Sequence, residues 1–264
     1  MTRPGRPVGE LLRGWRRTRG MSQLDLAIEA GVSARHLSFV ETGRSRPSPE
    51  LILRLAEQLA MPLAERNTML LAGGYAPAYP SHELSDPELA PVRAAVRQIL
   101  DGHRPYPAVL IDQHWHLVEA NPAVALFTAG AQSHLLTPPV NVLRLSLHPD
   151  GMAPRILNLP EWRAHLLSRL RQQAVMTNDP VLYDLHEELG GYPGGHAHAA
   201  PINDAVSRVV VPLRYRHNDR ELSFVSTTTL FGTPLDVTVS GLAVEAFFPA
   251  DSATTETLHT LATS

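Results

Sequence analysis

The chain has 264 residues, 44% of them hydrophobic, and it contains no cysteine. This length allows two domains, and the lack of cysteine excludes disulfides, thiolate metal sites and cysteine nucleophiles. No apolar run approaches the ~18 residues that a membrane span needs. The first 15 residues lack the apolar segment of a secretory signal. We therefore expect a cytoplasmic protein without a membrane partner.

Charge is distributed unevenly along the chain. Residues 1–80 contain 11 arginines and 7 acidic residues, whereas residues 81–264 contain 12 arginines and 19 acidic residues. A basic segment joined to an acidic remainder indicates that only the first part meets a polyanion.

The first 75 residues predict five short helices. Residues 8–19 carry apolar side chains at i, i+3, i+4 and i+7, which is the spacing of an amphipathic helix. A fourth helix is expected to begin at Ser48, which can cap it and which precedes a first-turn proline. A fifth is expected at residues 62–71. Together they predict a compact helical bundle.

The second and third helices form the most informative stretch. Ser22 and Ser33 are good N-caps, Gly31 between them allows the positive φ of a sharp turn, and Gly43 ends the third helix. We expect the buried sides of these two helices to consist of Leu24, Ala27 and Ile28, and of Leu37 and Val40. This pattern predicts a helix-turn-helix, so we expect the protein to bind double-stranded DNA.

The same stretch resembles the lambda-repressor-like family, the XRE-type helix-turn-helix regulators, from about Gly9 to Leu71. The resemblance rests on a set of short motifs: Ser22-Gln23, Leu26-Ala27, Ala30-Gly31-Val32-Ser33, Leu37-Ser38, Glu41-x-Gly43-Arg44 and Pro47-Ser48. It implies that the third helix enters the major groove of DNA. It also implies a homodimer that binds two half-sites.

The resemblance implies roles for eight residues. Arg35 is the leading candidate for a base contact, because a guanidinium can bond guanine O6 and N7 together. Gln23 matches a position that grips a phosphate, and the arginines after the third helix would contact the DNA backbone. The full set of candidates is Gln23, Ser33, Ala34, Arg35, His36, Ser38, Arg44 and Arg46. Glu41 is expected to hold an arginine within the fold.

The domain boundary is expected in the proline-rich stretch at residues 75–91. We predict a helix-turn-helix domain at residues 1–76, a linker with a connector helix at 77–104, and a second domain at 105–264. Residues 108–111 and 115–119 predict two strands that flank a tight turn. Asn121-Pro122 then begins a helix. This opening is similar to that of PAS-like sensor domains.

The remainder of the chain predicts helices at residues 141–146, 161–174 and 179–189. Three β-rich runs follow at residues 207–216, 222–230 and 240–248. With the N-terminal bundle, this order resembles the MmyB-like regulators, whose second domain is of the MltR ligand-binding type. The expected fold class is α+β, in which an all-α bundle of five helices precedes a PAS-like antiparallel sheet with helices.

The resemblance implies that the second domain binds a small hydrophobic ligand, for which a fatty acid is the candidate, and that the ligand modulates DNA binding. Sheet and helices of this type enclose an apolar cavity. The expected lining residues are Trp115, Leu117, Phe127, Trp162, Leu166 and Phe224, although each could be an ordinary core residue. The alternative is a ligand-free domain that serves only dimerisation or protein–protein interaction.

Metal sensing and catalysis are the remaining alternatives. His196 and His198 form a His-x-His pair with His186 ten residues before, and such a pair binds Zn²⁺ or Ni²⁺ when a third ligand is near. His114 and His116 alternate about Trp115 and are expected to be solvated. The sequence lacks Gly-x-Ser-x-Gly, a phosphate-binding glycine loop and His-Glu-x-x-His. We expect no enzymatic activity, no catalytic residue, no cofactor and no resident metal.

Overall fold

A computed structural model describes residues 7–194, 210–232 and 234–263. The chain divides into two compact units. The first comprises the chain up to Glu83, Val175–Asn178 and a short segment that ends at Ser240, and the second comprises the rest. The first is helical and the second contains one antiparallel sheet, so the fold class is α+β as predicted.

Five short helices form the N-terminal bundle, as the sequence predicted. They are α1 (Val8–Thr18), α2 (Gln23–Glu29), α3 (Ala34–Glu41), α4 (Pro49–Gln58) and α5 (Leu63–Ala72). Serine hydroxyls cap three of them: Ser22, Ser33 and Ser48 accept hydrogen bonds from the first-turn amides of α2, α3 and α4. Gly31 has a φ of 64° in the turn between α2 and α3, a conformation that an L side chain resists.

The buried side of α2 differs from the prediction. Leu24 and Ile28 are exposed, with relative accessibilities of 59% and 69%, and the buried residues are Leu26, Ala27 and Ala30. In a helix of two turns, apolar residues occur on more than one face, so periodicity alone cannot decide which face packs inward. Contacts with the neighbouring helices decide it. The predicted inward residues of α3, Leu37 and Val40, are both buried.

The rest of the described chain contains seven further α-helices, four short 3-10 helices and five strands. In chain order the α-helices and strands are α6 (Ala90–Gly102), β1 (Ala108–Ile111), β2 (Leu117–Ala120), α7 (Ala125–Thr128), α8 (Val142–Leu147), α9 (Leu159–Thr177), α10 (Pro180–Gly190), β3 (Leu213–His217), β4 (Arg220–Leu230), α11 (Val237–Ser240), β5 (Ala243–Pro249) and α12 (Ser252–Ala262). The strands form one sheet in the order β2-β1-β5-β4-β3, and neighbouring strands are antiparallel.

The central strands are covered on both faces, which explains the unbroken apolar run of β1. Val109 and Ile111 face the main core of the second unit, whereas Ala108 and Leu110 pack with α6 in a smaller cluster. All four residues of β1 are buried. An apolar run without alternation is typical of a strand that is buried on both sides.

Three boundaries in this unit differ from the sequence prediction. Trp115 is not part of β2 but belongs to the preceding turn, where its φ of 67° lies in the left-handed region. The run expected at residues 240–248 divides into the end of α11 and strand β5. The run expected at residues 207–216 corresponds to β3 in its last part, and residues 207–209 lie outside the described residues.

Candidate DNA-binding surface and ligand cavity

The exposed side of α3 carries most of the candidate base-reading residues. Arg35 and His36 are exposed, and the Arg35 guanidinium lies 5.4 Å from the centre of the Phe39 ring. Ser38 is half buried. Ala34 is half buried and packs against the bundle core, and the Ser33 hydroxyl caps α3. Ser33, Arg35 and His36 are therefore the exposed members of this set, and the Ser33 hydroxyl is engaged in the cap of α3.

A buried ion pair joins α1 to the last residue of α3. The Glu41 carboxylate accepts hydrogen bonds from Nε and Nη2 of Arg16 at 2.6 and 3.0 Å. It also accepts one from the Gln23 amide nitrogen at 2.8 Å. Glu41 is 3% exposed and Arg16 is 9% exposed. As predicted, Glu41 holds an arginine within the fold.

The bond to Glu41 sets the orientation of Gln23. A side-chain amide has two N–H donors, and one of them points to the carboxylate, so the other remains for a second acceptor. Gln23 is half buried at the first position of α2. A phosphate at this helix N-terminus would also meet the favourable end of the helix dipole.

Arg44 and Arg46, both expected to contact the DNA backbone, occupy different surroundings. The Arg46 guanidinium donates to the Gly73 carbonyl at 3.1 and 2.9 Å and lies 4.8 Å from the centre of the Tyr75 ring. Its contacts therefore join the loop after α3 to the end of α5. Arg44 is exposed just beyond α3. Of the two, Arg44 has the side chain that can move more easily toward a ligand.

An apolar cavity lies in the second unit between the sheet and the helices that cover one of its faces. Five of the six expected lining residues are on its wall: Trp115, Leu117, Phe127, Trp162 and Leu166. The sixth, Phe224, is fully buried and lies 5.5 Å from Phe127, ring centre to ring centre, but it does not line the cavity. The volume that the centre of a water-sized sphere can occupy is about 70 Å³.

The two tryptophans of the wall are fixed by their indole N–H groups. Trp115 donates to the side-chain oxygen of Gln173 at 2.8 Å, and Trp162 donates to the Ser146 hydroxyl at 3.1 Å. A buried indole N–H requires such an acceptor. Each ring therefore has a defined position on the wall.

Glu245 gives the cavity a polar end that the sequence prediction missed. Among the described residues that line the cavity, it is the only charged one, and it is 6% exposed. Its carboxylate accepts two hydrogen bonds from Arg169 at 2.9 and 3.0 Å and one from the Thr228 hydroxyl at 2.7 Å. The Arg169 guanidinium also lies 5.1 Å from the centre of the Trp115 ring.

A sequence signal for Glu245 does exist. It lies between Ala243 and Phe247 on the face of β5 that turns toward the main core. A lone carboxylate at an inward position of an apolar strand contradicts the alternation rule for a half-buried strand. Such a residue therefore indicates either a buried ion pair or a binding site.

The histidines considered for metal binding fall in different places. His186 is half buried on α10, and His196 and His198 lie outside the described residues. His114 and His116 were expected to be solvated, and this expectation was wrong. Each side chain is half buried and lies within 3.0 Å of a carboxylate oxygen. Together with Asp112 they form a group whose ligand atoms lie close enough to share a metal ion.

Comparison with known protein families identifies the chain. A family model described as the MmyB-like transcription regulator ligand binding domain matches residues 92–261. The chain belongs to this family. A second model, described as a helix-turn-helix domain, matches residues 7–69 of this MmyB-like regulator. The two matches correspond to the helical bundle and to the chain from α6 into α12.

A curated relative points in the same direction. The chain is 39% identical over 57 residues to the transcriptional regulator ClgR of Mycobacterium tuberculosis, in strains CDC 1551 / Oshkosh and ATCC 25618 / H37Rv. This alignment covers 22% of the chain and 51% of each relative, so the chain spans about half the length of the curated relatives it matches.

The chain therefore combines a helix-turn-helix domain with the ligand-binding domain of the MmyB-like transcription regulators. The description of the first family model is that of a transcription regulator and names no enzyme. Among the helices of the described chain, none is long and apolar enough to cross a membrane.

Proposed function

We propose that this MmyB-like regulator binds operator DNA as a homodimer through α3, and that a small hydrophobic ligand in the cavity of its second domain modulates this binding. A fatty acid is our candidate ligand. The observation that carries the proposal is an apolar cavity with one buried carboxylate on its wall, in a chain that also has a helix-turn-helix. We also propose the domain division at residues 1–76, 77–104 and 105–264.

The proposed DNA contacts follow from which side chains are exposed and which are held within the bundle. Arg35 and His36 are exposed on α3 and read base edges in the major groove, whose width admits a helix. Gln23 and Arg44 contact phosphates, which fixes the register of the protein without reading sequence. Arg46 supports the bundle through Gly73 and contributes its charge to the same surface.

The size of the cavity suggests how a ligand would act. The space of about 70 Å³ is far below the roughly 300–1,000 Å³ of typical small-molecule sites. A ligand longer than a few atoms must therefore push the walls apart, and the walls include residues of α8, α9 and β5. Occupied and empty forms then differ in structure, which is the condition for a ligand to shift an equilibrium between two states.

Glu245 determines which head group fits. The Glu245 carboxylate already accepts hydrogen bonds from Arg169 and Thr228. Because it can only accept, it favours a head group that donates a hydrogen bond. A protonated fatty acid or a hydroxyl satisfies it, whereas an ionised carboxylate meets a like charge. A ligand with an ionised head group must draw Arg169 away from Glu245.

The test of ligand binding uses the full chain. Native mass spectrometry and solvent extraction should recover a hydrophobic ligand from the purified protein, and a fatty acid should rebind after its removal. Leu166→Trp fills the cavity and is expected to abolish rebinding, whereas Leu230→Trp, at an exposed position, should rebind normally. Equal rebinding by both variants would show that the cavity is not the ligand site.

Glu245→Gln tests the head group. The substitution removes the like charge, so it should strengthen binding of a fatty acid and leave binding of the alcohol of equal chain length nearly unchanged. Glu256→Gln, at an exposed position on α12, is the control. If both ligands respond equally to Glu245→Gln, the carboxylate does not select the head group.

Modulation needs a separate measurement. Operator affinity of the full chain is measured with the cavity empty and with it filled, at fixed salt because DNA affinity depends strongly on ionic strength. The proposal expects two different affinities and a homodimer on DNA. Equal affinities would favour the alternative, a regulator whose second domain serves only dimerisation or interaction with another protein.

A further inference from the structure

The turn between β1 and β2 gathers three side chains that ligate metal ions. It contains Asp112, His114 and His116, and one ligand atom of each lies within 4.8 Å of the others. We propose that these three residues, with Asp179 beside them, bind a divalent ion of the zinc class. This site is separate from the cavity and does not depend on the proposed ligand.

The backbone of the turn is held in place from both sides. One oxygen of Asp112 accepts hydrogen bonds from the amides of His114 and His116, both at 2.8 Å. The side-chain nitrogen of Asn141 donates to the His114 carbonyl at 2.9 Å, and that of Gln173 donates to the Gln113 carbonyl at 2.8 Å. A site with a fixed backbone needs only side-chain rotation to close on an ion.

Two nitrogen–oxygen pairs of this group lie at hydrogen-bond distance. Nδ1 of His116 lies 3.0 Å from Oδ2 of Asp112, and Nε2 of His114 lies 2.8 Å from Oδ2 of Asp179. Zinc lies about 2.0–2.2 Å from nitrogen and oxygen ligands, so its ligands are roughly 3.3–3.6 Å apart in tetrahedral geometry, and each pair would widen by a few tenths of an ångström. The ligand atoms of Asp112, His114 and His116 lie within 4.8 Å of one another, so they must approach by up to about 1.5 Å to share one ion.

The donor set selects the class of metal. Two imidazoles and a carboxylate suit zinc and its first-row neighbours, whereas Mg²⁺ and Ca²⁺ prefer ligand sets made of oxygen alone. The two carboxylates, Asp112 and Asp179, together balance the charge of a divalent ion. Both histidine side chains are about one-quarter exposed, which leaves a path for the ion and room for a bound water.

Asp179 has a defined relation to the site. Its Oδ2 lies beside His114, while its other oxygen accepts from the Val181 amide at the start of α10. A carboxylate in this position orients a ligating imidazole or becomes a fourth ligand, and both roles strengthen metal binding. Metal binding would therefore tie the turn to α10 and would fix Trp115, which lies between the two histidines on the cavity wall.

A second group, His134, His148 and Asp150, also has ligand atoms within 4.8 Å of one another and could compete for the ion; we call it the rival group. It is more open, since the side chain of His134 is 56% exposed. Nδ1 of His148 already accepts from the Asp150 amide at 3.0 Å. The oxygen of Asp150 lies 3.8 Å from both ring nitrogens, a looser arrangement than in the turn.

The test is a zinc titration of the full chain by calorimetry after treatment with a chelator. One ion per chain should bind, and His114→Ala/His116→Ala should lose at least about tenfold in affinity. His134→Ala/His148→Ala removes the same number of histidines from the rival group and should bind like the native chain. His196→Ala/His198→Ala controls for the His-x-His pair in the same way.

Two further variants keep the test decisive if the double variant folds poorly. Asp112→Asn retains an oxygen for the two backbone amides but removes the charge. Asp179→Asn retains the cap of α10 and should weaken binding by about 10–100-fold. Circular dichroism verifies folding. The visible absorption of bound Co²⁺ should change in these two variants and in His114→Ala/His116→Ala, and it should stay native in the two control variants.

Three results would overturn the proposal. The first is the lack of saturable zinc binding by the native chain. The second is native affinity in the correctly folded variants of Asp112, His114, His116 and Asp179. The third is loss of the tight site in the rival or His-x-His variant instead.

Discussion

Replacing Glu41 with glutamine tests how the DNA-binding bundle is held together. The side chain of Glu41 is fully buried, and that of Arg16 is 11% exposed. The substitution leaves the Arg16 guanidinium buried without a counter-charge. Removing one partner of a buried pair costs about 3–5 kcal/mol. Because glutamine keeps one oxygen for Arg16, and because Arg16 also donates to the Met21 carbonyl, we expect about 3 kcal/mol.

The loss should be local, so the measurement must resolve segments of the chain. Hydrogen exchange followed by mass spectrometry reports the opening free energy of peptides from α1 and α3 in the full chain. A loss of about 3 kcal/mol corresponds to exchange about 100-fold faster. Glu57→Gln, an exposed substitution on α4, should remain within about 0.5 kcal/mol of the native chain.

Equal exchange rates in Glu41→Gln and Glu57→Gln would refute the reasoning. That result would mean that the Arg16–Glu41 pair is replaceable by a neutral hydrogen bond. A loss confined to DNA affinity, with native exchange in α1 and α3, would mean that Glu41 acts through Gln23 alone.

The pH dependence of the stability difference between the native chain and Glu41→Gln gives an independent check. Burial raises the pKa of Glu41, but hydrogen bonds from Arg16 and Gln23 and the positive charges of Arg16 and Arg13 outweigh it, so the pKa lies below the ordinary 4.5. A carboxyl with a lowered folded pKa stabilises fully above its unfolded pKa and loses this effect as the pH falls through the folded value. The native chain's advantage over Glu41→Gln should thus be constant above about pH 5 and shrink below pH 4.5. A stability advantage of the native chain that grows on acidification would contradict a lowered pKa of Glu41.

Four other substitutions probe the DNA-binding surface. Arg35→Ala should relax base preference at one operator position at a cost of about 1–3 kcal/mol, measured by binding to a set of single-base operator variants; Arg54→Ala on α4 should leave every preference unchanged. Arg44→Ala should lower the salt slope of DNA binding by about 1 without loss of stability, whereas Arg46→Ala should also speed hydrogen exchange near Gly73; identical behaviour of the two would remove the distinction between them. Ser33→Ala should destabilise α3 by about 0.5–2 kcal/mol, and unchanged exchange in α3 would show that the cap is dispensable.

Local rules accounted for most of the bundle. The serine hydroxyl at each predicted N-cap and the positive φ of Gly31 are properties of a few consecutive residues, so the sequence is sufficient to predict them. The buried face of α2 was different. Leu24 and Ile28 are spaced like Leu26 and Ala30, and only packing against the neighbouring helices distinguishes the two pairs.

The second domain shows more clearly what local sequence patterns cannot predict. The apolar run of β1 and the helix start at Asn121-Pro122 made the opening of the domain predictable, and five of six expected residues lie on the cavity wall. The expected capping by the Asn121 side chain was wrong, because its amide oxygen accepts from the Ala108 N–H and its amide nitrogen donates to the Leu100 and Tyr106 carbonyls. The position of Phe224 just outside that wall depends on how β4 pairs with its neighbours. The pairing of Arg169 with Glu245, 76 residues apart, and the approach of Asp179 to His114, 65 residues apart, are tertiary contacts that no local pattern contains.

Two buried carboxylates connect the cores to the proposed functions. A buried ion pair is often no more stabilising than apolar side chains of similar volume, so stability alone does not account for Glu41 or Glu245. Their positions do suggest an account. Glu41 receives the Gln23 amide at the proposed phosphate contact, and Glu245 faces the cavity where we propose the ligand head group. In both cases the arginine partner bonds both carboxylate oxygens and makes burial tolerable, and one of these oxygens also accepts a further hydrogen bond. On this reasoning, an apolar residue at position 245 would remove the discrimination between head groups but would cost stability, because it leaves Arg169 without its counter-charge. An apolar residue at position 41 would do the same to Arg16 and would also release Gln23.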